Sequence, residues 1–247
     1  MDISAVLGSY PRERPALGSA YEKVYAEQYR INREGATAVD GAAQRLERWM
    51  HRQVAGVAGQ PVLELGAGTL NHLQFEQEIG HYDIVEPFGL LYGGKPQLAA
   101  VRQNFASIQD IRPEGQYRRI ISIAVLEHLV DLPRDLARSA LLLDREGVFQ
   151  AGIPSEGGLL WWLGWRFSTG LAYFLRTGLN YGRVMRHEHV NNAAEILALV
   201  RLLFEDVVVR RFPFPHPHLS FYTYLEARRP RLAVAHEWNS APARAST

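Results

Sequence analysis

The chain has 247 residues, of which 47% are hydrophobic and 21% charged, a balance that supports a packed core and excludes disorder as the dominant state. With 27 basic against 26 acidic side chains and no Lys/Arg-rich block, nothing marks a dedicated nucleic-acid binder. The absence of cysteine excludes disulfides, zinc–thiolate sites and thiol nucleophiles.

The length suits one α/β domain with modest additions, or at most two small domains. The opening MDISAVLGSYPRERP has no basic stretch followed by an apolar run, so no secretion signal is expected, and its Pro and Arg content predicts irregular chain. Residues 19–33 and 37–57 read as two helices, the second with Leu46, Trp49, Met50 and Val54 on one stripe. Together they form an expected N-terminal helical extension over residues 1–58.

From Pro61 the texture changes. PVLEL is a short apolar run that ends at Gly66-Ala67-Gly68, and a helix is expected over Asn71–Ile79. YDIVEPF is a second run, Ser107–Ile111 a weak third and RIISIAV a fourth. A helix opens near Asp131, with Leu132, Leu136, Ala140 and Leu143 in line and Gly147 placed to end it. GVFQAGIP is the fifth strand. Asn192, with Glu195 three residues on, has the pattern of a capping box ahead of a helix. DVVVRRF and HLSFYTYLEARR then come one after the other as strands, and residues 230–247 read as a flexible tail.

Apolar strands alternating with helices predict a mostly parallel sheet covered on both faces, and two strands meeting without a helix predict one antiparallel member. The main domain is expected over residues 59–229, interrupted by an insertion at 155–190. The most apolar stretch, Gly157 to Leu175, is split by Arg166 into uncharged runs of 9 residues, too short to span a bilayer. A soluble, cytoplasmic protein is the expectation.

The densest chemical signal is Leu63-Glu64-Leu65-Gly66-Ala67-Gly68-Thr69. A strand entering Gly-x-Gly lets backbone approach a ligand without an intervening Cβ. Glu86 closes the next strand 18 residues after Gly68, near the spacing of a ribose-binding acid. Asn71 stands where a dinucleotide-binding loop needs its third glycine, and Glu64 would repel phosphates, which disfavours an NAD-dependent dehydrogenase. A carboxylate there suits a ligand with a cationic amino group.

These residues resemble the class I S-adenosylmethionine (SAM)-dependent methyltransferases of small-molecule type. VLELGAGT is similar to that family's acid-x-Gly-x-Gly loop and IVEPF to its second acid. SIAVLEHL resembles the fourth-strand segment, LLLDREGVFQAGIP the family's next helix, turn and fifth strand, and Asn192–Arg229 the antiparallel end. The resemblance implies a Rossmann-like seven-stranded sheet and SAM as cofactor, with S-adenosylhomocysteine as product. It further implies Gly66, Ala67 and Gly68 along the methionine portion, Glu64 engaging that region and Glu86 on the ribose hydroxyls. Asp110 would face the adenine, and Ser122, Ile123 and Ala124 would line the inner side. Two positions depart from the pattern: Leu70 replaces the third loop glycine, and Arg118 replaces the acid before the fourth strand.

Methyl transfer to oxygen needs a proton acceptor. His128, just past the fourth strand, fits that role, or else packs beneath the cofactor; Glu127 could orient an acceptor. His187 and His189 lack a visible third ligand, so no metal site is expected, and His216 and His218 read as loop residues. The 155–190 insertion, with Trp161, Trp162 and Trp165, is expected to act as a lid. Its aromatics suit an apolar or sugar pocket, a membrane surface near a lipid-linked acceptor, a dimer interface, or a small satellite core. The AVLEHL segment lacks the prolines typical of base N-methylation, so nucleic acid is not an expected acceptor. A SAM-binding scaffold without catalysis would carry nearly the same marks.

Overall fold

The structure is a computed structural model that describes residues 2–22, 24, 41–55 and 59–240. The expected helices at 19–33 and 37–57, and the end of the tail, lie partly outside these. Residues 19–22 are helical, and the second expected helix is observed as α2, Gly41–Ala55, after a short α1, Ile3–Gly8. Because Asp2 caps α1 by accepting from the amides of Ser4 and Ala5, the N-terminus is not wholly irregular as expected.

Seven strands form one sheet in the order β3-β2-β1-β4-β5-β7-β6. They are β1 Val62–Leu65, β2 Tyr82–Val85, β3 Gln103–Phe105, β4 Tyr117–Ile123, β5 Leu143–Pro154, β6 Phe204–Pro213 and β7 Ser220–Pro230. The first five run parallel; β7 lies antiparallel to both β5 and β6. This is the expected mixed sheet, with its single reversed strand inserted between β5 and β6.

Strand alternation sorts the core onto two faces. Leu63, Leu65, Ile120, Phe149, Ala151 and Leu225 meet α3 (Leu132–Leu142), α7 (Ala193–Leu203) and α8 (Leu232–Ser240). Val62, Ile84, Ile121 and Tyr224 face Met50 and Val54 of α2, as the stripe predicts. At Gly152 of β5, an added Cβ would stand 2.6 Å from Met50 Cβ, so only glycine lets α2 lie this close.

Several elements differ from the sequence reading. The expected helix over Asn71–Ile79 is a single 3-10 turn, Leu73–Phe75. Here His72 and Glu76 are held by side-chain partners, His51 and Arg119, while Leu73 enters the core. The third strand lies at Gln103–Phe105, four residues before the weak run, whose Ile108–Asp110 form a 3-10 turn capped by Ser107. Helix α3 ends at Leu142 and β5 begins at once, so Gly147 sits inside the strand rather than ending the helix. Residues 232–240 of the expected tail fold as α8, with Ala235 fully buried and Val234 and Trp238 packed against the core.

The 155–190 insertion folds as α4 Leu159–Phe167, α5 Thr169–Thr177 and α6 Tyr181–Glu188. A satellite core of Tyr21, Tyr173 and Val184 joins it to the N-terminal segment. Among the described residues no helix is long and apolar enough to cross a membrane.

Candidate active site

The chain leaves β1 toward β2 and β3 on one side, whereas β4 continues to β5, β7 and β6 on the other. Connections that diverge in this way open a crevice beyond the carboxyl ends of β1 and β4. The glycine loop sits there. Gly66 turns the chain at φ +68°, its amide donates to Val85 O at 2.8 Å, and a Cβ would meet Val125 Cγ2 at 2.3 Å. Gly68, at φ +51°, faces open space within 4 Å. Between them Ala67 is buried, and Leu70 completes the bend with a left-handed φ of +63°.

Glu86 docks this loop onto β2. Its Oε2 accepts from Gly68 N at 2.9 Å and its Oε1 from Phe88 N at 3.0 Å. A carboxylate oxygen has two lone pairs, so each remains able to accept from a hydroxyl.

Glu64 is 3% exposed and accepts from the Tyr82 hydroxyl at 2.8 Å. Burial pushes its pKa up to about 7, against the lowering effect of nearby His72 and the Tyr82 bond. On the same face His72 bonds Glu76 at 2.7 Å, and Glu76 receives both terminal nitrogens of Arg119 at 2.8 and 3.0 Å. Arg119, fully buried, also donates to Val54 O and Gln150, joining α2, the loop and β4. Arg118, by contrast, stands at the surface with Asp144 and Glu146.

At the end of β4, Ser122 is buried and its Oγ has no hydrogen-bond partner among the described residues. Ile123 pairs with Gly152 of β5, and Ala124 takes a left-handed φ of +54° while its amide donates to Gly152 O. A non-glycine residue held there costs on the order of 1 kcal/mol and clusters at functional sites. Asp110 is exposed in the turn after β3.

Beyond Ala124, a 3-10 turn presents Glu127 and His128. His128 Nδ1 lies 2.9 Å from Glu188 O; a carbonyl only accepts, so in the neutral ring that nitrogen carries the proton and Nε2 keeps a lone pair. Nε2 lies 3.9 Å from Glu127 Oε1. Burial opposes the charged imidazole, but the Glu188 and Glu127 carboxylates outweigh it and raise its pKa. Against it stands His189, ring centroids 4.8 Å apart, whose Nδ1 meets Glu156 Oε2 at 3.0 Å. Trp161 donates to the same oxygen at 2.6 Å. Glu156, Trp161, Trp162, Trp165 and His218 line an adjoining open cavity of about 440 Å³. His187 points instead to Pro15 O at 2.8 Å.

Sequence reading missed the clamp around this end. Asn191 is buried, donates to Leu126 O and Leu129 O, and accepts from the Tyr10 hydroxyl at 2.6 Å. Arg12 pairs with Glu195 and Val190 O, and Arg14 donates to the carbonyls of His128, His187 and Glu188. The single visible hint is the clustering of Tyr10, Arg12 and Arg14 in a segment without apolar pattern.

A mixed sheet of this order, a glycine bend at the switch point and a loop-docking acid define the class I methyltransferase fold. Solved structures bear this out. The chain aligns with a Burkholderia thailandensis 1,6-didemethyltoxoflavin-N1-methyltransferase at TM-score 0.53 and 18% identity, covering 87% of this chain and 92% of that one. A possible histamine N-methyltransferase from Thermotoga maritima gives 0.53 at 14% identity, with 85% and 97% covered. The CurJ carbon methyltransferase gives 0.51 at 18%, with 73% of this chain matched to 54% of that one, so the chain spans about half of that relative. At these identities the likeness establishes the fold. No protein-family model matches the sequence, and no curated protein matches it.

Proposed function

We propose that the protein is a SAM-dependent methyltransferase acting on the oxygen of a small-molecule, sugar or lipid-linked acceptor. The observation that carries this reading is the Gly66–Gly68 bend at the switch point, open at Gly68 and docked by Glu86. The Ser122 Oγ, without a partner among the described residues at the same crevice, fits a ligand that brings its own polar groups. Bound SAM supplies an electrophilic methyl on a sulfonium, a good leaving group.

In this reading Glu86 accepts from the ribose hydroxyls, Glu64 balances the ligand's ammonium, and Ala67, Ile123 and Ala124 give apolar walls. Asp110 is assigned to the adenine end. His128, with its Nε2 lone pair at the acceptor end, takes the acceptor's proton, and holding the reacting atoms in line provides most of the remaining rate. The tryptophan-lined cavity receives the acceptor. Away from the cavity, α4 and α5 carry exposed Phe167, Leu171, Phe174 and Leu175 beside Arg166 and Arg176. That combination suits a lipid surface, so we infer that the protein works in the cytoplasm, against a membrane that presents the acceptor. The likeness to N- and carbon-methylating enzymes leaves the acceptor atom to experiment.

Calorimetry with S-adenosylhomocysteine tests the cofactor. Methyl-labelled SAM with hydroxyl-bearing acceptors, free or in vesicles, tests the reaction. Absence of cofactor binding overturns the reading; binding without label transfer to any acceptor favours a SAM-binding scaffold instead.

A further inference from the structure

The acceptor end holds a group the reaction above does not use. Glu127 is 2% exposed, and its Oε2 has no hydrogen-bond partner among the described residues. A buried carboxylate without a cation is costly. Its neighbourhood is acidic: Glu47 of α2 lies close enough to feel its charge, as does Tyr222 of β7, and Glu156 and Glu188 stand behind the two histidines. Arg14 reaches Glu188 at 3.5 Å, on the far side of His128 from Glu127.

One donor atom each from Glu127, His128 and His189 lies within 4.8 Å of the others. Both histidines are arranged as metal ligands usually are, with one ring nitrogen turned to an acceptor that fixes the tautomer. His128 Nδ1 faces Glu188 O and His189 Nδ1 faces Glu156, which leaves each ring one nitrogen with a lone pair. Donors on a single ion at about 2.1 Å stand roughly 3–4 Å apart, so closure on an ion takes about 1 Å of side-chain movement.

We propose that Glu127, His128 and His189 form a site for one divalent transition-metal ion. Two imidazoles and one carboxylate favour manganese, iron, cobalt, nickel or zinc over magnesium or calcium. Three protein ligands leave coordination positions open toward the cavity beyond Glu156. An acceptor hydroxyl bound there loses its proton to solvent water, and the oxyanion stays on the ion. In metal-loaded protein this ionisation replaces proton transfer to His128 Nε2, which then holds the ion; metal-free protein keeps His128 as the proton acceptor. This role rests on the methyltransferase reading; the site itself does not.

The test is direct binding. Chelator-treated full-length protein is titrated with MnCl₂ and ZnCl₂ by calorimetry, and with MnCl₂ by electron paramagnetic resonance. S-adenosylhomocysteine binding is measured on the same sample. We expect one ion per chain, at least a thirtyfold loss of affinity in His189→Ala and in Glu127→Gln, and no change in His81→Ala, a surface-histidine control. Metal-free wild-type protein in which neither ion binds overturns the proposal without need of a variant. Binding unaffected by both ligand substitutions likewise overturns it, as adventitious surface coordination. Cofactor binding retained without metal binding sinks the metal site alone; metal binding without cofactor binding sinks the methyltransferase reading alone. A melting curve for each variant confirms folding.

Discussion

Two glycines in one loop have different duties. Gly66 is hemmed in by Val125, and a left-handed alanine with a clashing Cβ costs on the order of 2–4 kcal/mol. Gly66→Ala is therefore expected to unfold at markedly lower urea. Gly68 faces open space, so Gly68→Ala should lose only about 1–2 kcal/mol of stability but bind S-adenosylhomocysteine at least tenfold more weakly. Equal melting losses in the two variants would contradict this division. Glu64 predicts a pH dependence. Burial raises its folded pKa from 4.5 to about 7. The stability this gives is fully present below pH 4.5 and is lost as pH rises through 7. A cationic ligand prefers the ionised carboxylate, so cofactor affinity should climb through the same upper range and go flat in Glu64→Gln. Calorimetry across pH 5.5–8.5 checks both signs. Glu64, Gly66, Gly68 and Glu86 were legible in the sequence because their signal is local: a strand, a bend, then an acid at fixed spacing. Arg119 and Asn191 were not, since the partners that give them meaning lie dozens of residues away. His189 read as a ligand without company for the same reason.

Among elements, the capping box shows how well local pattern can specify structure. Asn192 accepts from Glu195 N at 3.0 Å, and Glu195 Oε2 accepts from Asn192 N at 3.1 Å. Replacing Asn192 by alanine should cost about 1–2 kcal/mol. Glu195→Ala should cost more, because it also strands Arg12; thermal melts of the two variants read the difference. Strands buried on both faces and the reversed β7 were also readable, as apolar runs and as two strands without a helix between. The stretch Asn71–Ile79 failed because helical composition there is overruled by tertiary pairing: His72 and Glu76 spend their side chains on His51 and Arg119, and only one turn survives. Helix α8 escaped notice because its contacts with the core, Val234, Ala235 and Trp238, fall within one short stretch of small and polar composition.

For the molecule as a whole, the proposed acceptor end is assembled from three distant parts: residues 10–14, the turn after β4, and residues 188–195. Tyr10→Phe combined with Arg12→Ala removes the bonds to Asn191 and Glu195. It should leave cofactor affinity within twofold while making residues 155–190 several times more sensitive to limited proteolysis. Equal protease sensitivity in the double variant and wild type would show that the clamp does not hold the insertion.

The Tyr10–Asn191 bond spans 181 positions. On the ribosome, Tyr10 must wait until residue 191 has been made before its mate exists. A nascent chain stalled after β5 would already possess the parallel strands and the glycine bend, yet no closed chamber beside them. Cofactor recognition should therefore mature early in biogenesis and substrate recognition last.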